Sequence, residues 1–161
     1  IITAGPSGNN AVPAPAKPID LNLYLGRWYE LGRYEASFQR NCEAVTADYM
    51  VQKNGKIAVI NSCRQANVDG KFRQAKGKAK IINPPDNNKL KVSFFGPFYG
   101  DYWVLDRADD YQWAIVGEPS GRYLWLLSRN PKPDEETYQA LIKRVGAMGY
   151  NVAMIRRTKQ P

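Results

Sequence analysis

Residues 89–107 read KLKVSFFGPFYGDYWVLDR, two alternating runs that meet at Pro97, and their reading decides the fold. Alternation with period two marks a strand with two unlike faces. In the first run Leu90, Val92 and Phe94 share one face, and Lys89, Lys91 and Ser93 share the other. In the second run Tyr99, Asp101, Trp103 and Leu105 fall together.

The same texture extends in both directions. From Ile19 to Asn130 the chain is a series of short runs rich in Val, Ile, Tyr, Phe and Trp. They are punctuated by KNGK at 53–56, NVDG at 67–70, NPPDNN at 83–88, RADD at 107–110 and EPSG at 118–121. This spacing predicts strands near 27–36, 44–53, 56–64, 71–82, 89–96, 98–107, 111–117 and 122–130, joined largely by hairpins. The period then changes. In PDEETYQALIKRVGAMGY, 133–150, the apolar residues Tyr138, Leu141, Ile142, Val145 and Met148 recur at helical spacing. Asp134 can cap this helix over 134–148, Glu135 and Glu136 complement its positive end, and Lys143 and Arg144 its negative end. NVAMIR at 151–156 reads as a last short strand. Antiparallel strands followed by one amphipathic helix predict an all-β fold: an eight-stranded antiparallel up-and-down barrel with a C-terminal α-helix buried against its flank.

At 161 residues and 43% hydrophobic composition, the chain supports one core. Residues 1–18, IITAGPSGNNAVPAPAKP, read as a flexible arm ahead of a domain spanning 19–161. No run approaches the ~18–20 apolar residues of a membrane span, and the first residues lack the pattern of a signal peptide. The chain has no His, which excludes Ser-His and Cys-His nucleophile pairs and His-ligated metals or haem. No cofactor, metal or catalytic residue is expected. The net charge of +8 is concentrated: residues 53–91 hold ten Lys/Arg against Asp69 and Asp86, whereas the remainder balances thirteen against thirteen. The basic segment 71–91 suits association with a membrane surface, or a solvated strand face. Nucleic acid is not expected, because the few aromatics of this segment fall at inward positions of the alternation.

Three short stretches carry a family resemblance. Gly26, Trp28 and Tyr29 in LGRWYE, the segment ADDYQWA at 108–114, and Arg129 in YLWLLSRNP resemble, in order and separation, the conserved motifs of the lipocalins. KVSFFGPFYGDYWVLDR at 91–107 is similar to the bacterial outer-membrane branch, whose animal relative is apolipoprotein D. ADDYQWA departs from the family's Thr-Asp-Tyr-x-x-Tyr-Ala pattern. Bacterial members are often acylated on an N-terminal Cys, and no Cys opens this chain. The resemblance implies a periplasmic or outer-membrane-associated protein that binds and transports a fatty acid, a lysophospholipid or a similar amphiphile. A lipid-modifying enzyme using the same cavity and a filled barrel acting through its surface are the competing readings.

The resemblance also implies that Trp28 lies across a closed barrel end with Arg129 stacked over it, while Gly26 lets the chain enter where a Cβ would crowd the crossing segment. Ligand contacts are expected from Tyr49, Tyr99 and Trp125 by similarity. Tyr34, Phe94, Trp103 and Tyr123 are added by strand parity, with Glu30 and Asp101 as carboxylates that could share the cavity. Cys42 and Cys63 flank the KNGK turn and would pair in an oxidising compartment. A two-residue Asn54-Gly55 turn sets Cys63 opposite Thr46, however, so a bridge needs a bulge or an irregular approach by the 38–44 loop. A homodimer is compatible with the sequence, which carries no motif for one.

Overall fold

The alternating runs become strands in a computed structural model of the protein, which describes residues 5–161. The strands are β1 Gly26–Tyr34, β2 Cys42–Val51, β3 Ile57–Gln65, β4 Phe72–Ile81, β5 Lys89–Phe95, β6 Phe98–Arg107, β7 Trp113–Gly117, β8 Leu124–Ser128 and β9 Ile155–Arg157. Each strand from β2 to β7 pairs antiparallel with its successor; β1 pairs with β8 and, over Gly26–Tyr29, with β2, which closes the barrel. Strand β9 adds to the upper half of β1, where β2 has already diverged. Before β1, a single helical turn, α1 Leu21–Tyr24, is capped by the Asp20 carboxylate on the Asn22 amide. After the barrel comes α2 Glu135–Ala147, with Asp134 accepting from the Thr137 amide.

The core divides into two layers, one on each side of the barrel wall. Trp28, Tyr49, Val59, Leu90, Val104, Val116 and Leu127 pack inside the barrel. Leu105, Ile115, Leu124 and Leu126 point outward and meet Tyr138, Leu141 and Val145 of α2. β6 to β8 therefore carry large apolar residues on both faces, and alternation alone does not say which face is inside.

Two expectations fail for that reason. The register sets Asp101 opposite Lys91 and Trp103 opposite Lys89. Cross-strand partners share a face, so Tyr99, Asp101, Trp103 and Leu105 stand outside, and the inward face of β6 is Gly100, Tyr102 and Val104. In β1 a bulge between Glu30 and Gly32 puts two residues against one of β8 and reverses the parity beyond it. Tyr34, which strand parity sends inward, consequently packs outside with Leu31 and Tyr150 and donates to the Asn151 carbonyl at 2.8 Å.

The described part of the arm is a strap, which corrects the flexible reading for residues 5–18. Gly8 donates to the Gly121 carbonyl at 2.8 Å and accepts from the Asn151 amide at 2.9 Å; the buried Asn9 side chain donates to the Met148 carbonyl, and Ala16 to that of Leu105. Residues 1–4 lie outside the description. No helix among the described residues is long and apolar enough to cross a membrane.

Candidate ligand-binding cup

The lower end of the barrel is sealed. Trp28 is fully buried, its indole N–H donating to the Tyr24 carbonyl at 2.8 Å, and the Arg129 guanidinium stacks 3.7 Å from the centre of its ring. The same guanidinium donates to the carbonyls of Leu23, Tyr24 and Leu25, at the end of α1, and to Arg27. One planar cation thus closes a helix end and covers an indole. Gly26 has a φ of 98°, and a Cβ there would meet only an Arg129 nitrogen at 3.6 Å. Its need is therefore conformational, and the expected crowding by a crossing chain is absent. Tyr111, in the ADDYQWA turn, also takes a left-handed φ, and its hydroxyl accepts from the Asp20 amide at 2.8 Å while the Arg107 guanidinium covers its ring. The segment that departs from the family pattern still pins α1 to the floor.

Above the floor Tyr24, Tyr49 and Tyr102 join their hydroxyls, Tyr49 donating to Tyr102 at 2.9 Å and Tyr102 sharing a short bond with Tyr24. Burial pushes the Tyr49 hydroxyl up to about 12 and those of Tyr24 and Tyr102 well above their ordinary range. Three hydroxyls in a chain of two bonds use two of their three hydrogens. One hydrogen is left to donate to a water or a ligand oxygen.

Higher still, the inward residues become small. Ala47, Ala75, Gly77 and Gly100 follow the inward parity of their strands; Ala75 and Gly100 are exposed and Ala47 and Gly77 half-buried. A Cβ placed on Gly100 would find nothing nearer than the Val92 carbonyl at 4.0 Å. Gly77 instead makes room for the Phe94 ring, which a Cβ would strike at 2.7 Å. The upper barrel is accordingly an open cup with an aromatic wall. Phe94 and Trp125 pack at the edge of the interior core, and Tyr123 stacks on Trp125 with ring planes 5° apart and touches Phe38.

Of the seven residues expected to contact ligand, the structure thus brings Tyr49, Phe94, Tyr123 and Trp125 to this cup and places Tyr34, Tyr99 and Trp103 outside it. Lys80 and Lys89 cover the rings of Tyr99 and Trp103 at 4.4 and 4.5 Å. Sequence reasoning missed Tyr24, Phe38 and Tyr102. The signal for Tyr102 was available: Asp101 and Lys91, read as a cross-strand pair, would have turned that face outward.

Asp101 is tied to Lys91 on the outer surface, whereas Glu30 is buried in the wall. The Glu30 carboxylate accepts from Arg33 at 2.7 Å, from Gln39 at 3.0 Å and from Thr158, and Gln39 in turn accepts from the Trp125 indole at 2.8 Å. The two carboxylates thus lie apart, Glu30 within the wall and Asp101 outside it, and form no acid–base pair. Burial raises the Glu30 carboxyl above its ordinary value, with Arg33 as the largest opposing influence. Glu30 and Arg33 fill the gap where β1 and β2 part. A disulfide joins Cys42 to Cys63, with Cα atoms 5.5 Å apart, beside a bulge in β2 between Glu43 and Thr46.

The lipocalin-like domain family matches residues 19–160. The chain belongs to the lipocalin family. Lipocalins bind small hydrophobic ligands, generally as carriers, and this cup has the form of such a site. Among similar lipocalins, outer membrane lipoprotein Blc of Vibrio cholerae is 41% identical over 150 residues, covering 90% of this chain and 86% of that protein. The mouse apolipoprotein D is 34% identical over 161 residues, covering 91% and 82%. Insecticyanin from the tobacco hornworm Manduca sexta superposes with a TM-score of 0.72 at 19% identity, over 92% of this chain and 84% of that one, which shows the shared fold.

Proposed function

We propose that this lipocalin holds one amphiphile of the fatty acid or lysophospholipid class, its apolar chain in the cup and its polar head at the mouth, and carries it within a bacterial cell envelope. The observation that carries the reading is the run of small, solvent-touched residues on the inward face above Tyr102. A barrel filled by its own side chains would have large residues there. Tyr49, Phe94, Tyr123 and Trp125 supply wide apolar contact with polar edges, which suits a chain bearing few polar atoms. Several similar proteins are named outer membrane lipoproteins, which supports the envelope location. Release would follow exchange at the mouth, without covalent chemistry.

Extraction of the purified protein followed by mass spectrometry of bound lipid tests the proposal. An intact amphiphile in stoichiometric amount supports carriage. Conversion of that lipid on incubation would replace carriage by catalysis, and a protein that neither retains nor takes up an acyl probe would refute the cup as a ligand site.

A further inference from the structure

The mouth of the barrel differs from its floor in a way that ligand binding does not require. Four connections surround the mouth, at 35–41, 66–71, 96–97 and 118–123. Phe38, Phe72, Phe95 and Phe98 lie in or beside three of them, with exposures of 52, 50, 79 and 77%. Phe72, opposite Arg64, has the outward parity of Lys76 and Lys78, which corrects the inward position expected for the aromatics of this segment. Single exposed apolar residues are ordinary; a ring of phenylalanines around one opening is not. The most prominent pair sits at the tip of the β5–β6 hairpin, where Phe95 and Phe98 are direct cross-strand partners across Gly96 and Pro97.

Charge follows the same axis. Arg40, Lys71, Arg73 and Arg122 are exposed near the mouth and make no ion pair among the described residues. Against these cations the mouth loops set the exposed Asp69, whereas the loops at the floor set Asp86, Asp109 and Asp110 against Lys53 and Lys56, all exposed, so the excess of positive charge lies at the mouth. Cations also adjoin the rings: the Arg64 guanidinium lies 5.3 Å from the centre of Phe72, and Lys76 and Lys78 share a shallow cleft with Phe94 and Phe95. Aromatic side chains flanked by Lys and Arg favour the boundary between lipid headgroups and acyl chains, where rings leave water while cations stay at the phosphates.

We infer that the rim of the cup is a docking surface for an anionic lipid bilayer, seated mouth-down, with Phe95 and Phe98 entering the interface and the surrounding cations meeting lipid phosphates. This orientation sets the cup directly over the lipid and extends the carrier reading, because an amphiphile then passes between bilayer and cup without crossing water. The surface itself stands on the rim alone.

The test is flotation of the full chain with vesicles of phosphatidylcholine, with or without phosphatidylglycerol. The parent protein floats with the anionic vesicles and is released by high salt. Phe95→Ser/Phe98→Ser lowers its partition by about tenfold or more, and Met50→Ser/Val51→Ser, a pair of exposed apolar positions at the closed end, leaves it unchanged. Both pairs lie on the surface, and thermal melting verifies that the variants are folded. Failure of the parent to float, or equal losses from rim and floor variants, would overturn the inference. So would a rim-dependent homodimer in sedimentation velocity with vesicle binding unaffected by the rim variant. Uptake of a fluorescent fatty acid in detergent-free buffer, measured in parallel, separates the two proposals: uptake without flotation removes the docking surface and keeps the carrier, and flotation without uptake does the reverse.

Discussion

Removal of the Arg129 side chain tests the structural reading of the floor. The guanidinium covers a fully buried indole at 3.7 Å, a geometry worth about 2 kcal/mol because the ring is desolvated. It also donates to four main-chain carbonyls. Those bonds add about 1–2 kcal/mol in total, well below the value for buried charged bonds, since Leu23 and Arg27 are exposed and water replaces the lost donor there. Arg129→Ala should therefore destabilise the protein by about 3–4 kcal/mol. With a urea dependence of about 2 kcal/mol per molar, the unfolding midpoint falls by about 1.5–2 M at unchanged slope. Arg129→Lys keeps the charge and loses the planar fork, so it should recover less than half of the loss. In conditions where Arg129→Ala remains folded, it should still take up an acyl probe, because the residue lies beneath the cup. A midpoint within about 0.25 M of the parent would refute the reasoning. So would a stable variant that had lost only its ligand.

The buried tyrosines predict an alkaline limit. With folded-state values raised above those of the unfolded chain, Tyr24, Tyr49 and Tyr102 bind protons that the unfolded state has released, so stability falls as pH rises from about 10 toward 12. In absorbance at 295 nm the parent and Tyr49→Phe should show the same rise at pH 11; a rise smaller by one tyrosinate would mean that Tyr49 is not buried as described. Reduction of the Cys42–Cys63 bridge, which spans 21 residues, should cost about 3 kcal/mol in urea unfolding. Thiol titration of the denatured, unreduced chain should find none, and two free thiols would contradict the bridge.

The hydrophobic period of the chain was legible at once. Period-two runs punctuated by Gly, Pro, Asn and Asp specify strands and hairpins locally, and the switch to helical spacing at Tyr138 specifies α2, because both follow from where successive side chains point along a backbone. The family motifs pointed to Trp28 and Arg129, which stack on one another although they stand 101 positions apart in the chain. The faces of β1 and β6 were another matter. Leu124 and Leu126 look as apolar as Trp125 and Leu127, yet one pair supports α2 and the other faces the cup. A barrel wall covered on its outer side by a helix buries both faces, which removes the contrast that alternation depends on. The bulge at Leu31 then inverts the upper part of β1, and Gly32 beside it is the mark of a strand-interior bulge that alternation by itself overlooks.

The amino-acid sequence by itself thus determined the order of the strands and α2, since these depend on local backbone geometry, and Trp28 and Arg129 at the floor came from the resemblance of its motifs to the lipocalins. Only the tertiary structure decided that Tyr102 replaces Tyr99 and Trp103 in the cup, that Tyr34 belongs to the outer layer, and that the strap of residues 5–18 lies against it. Those assignments depend on cross-strand register and on what covers each face, and a single-residue slip in register exchanges inside for outside.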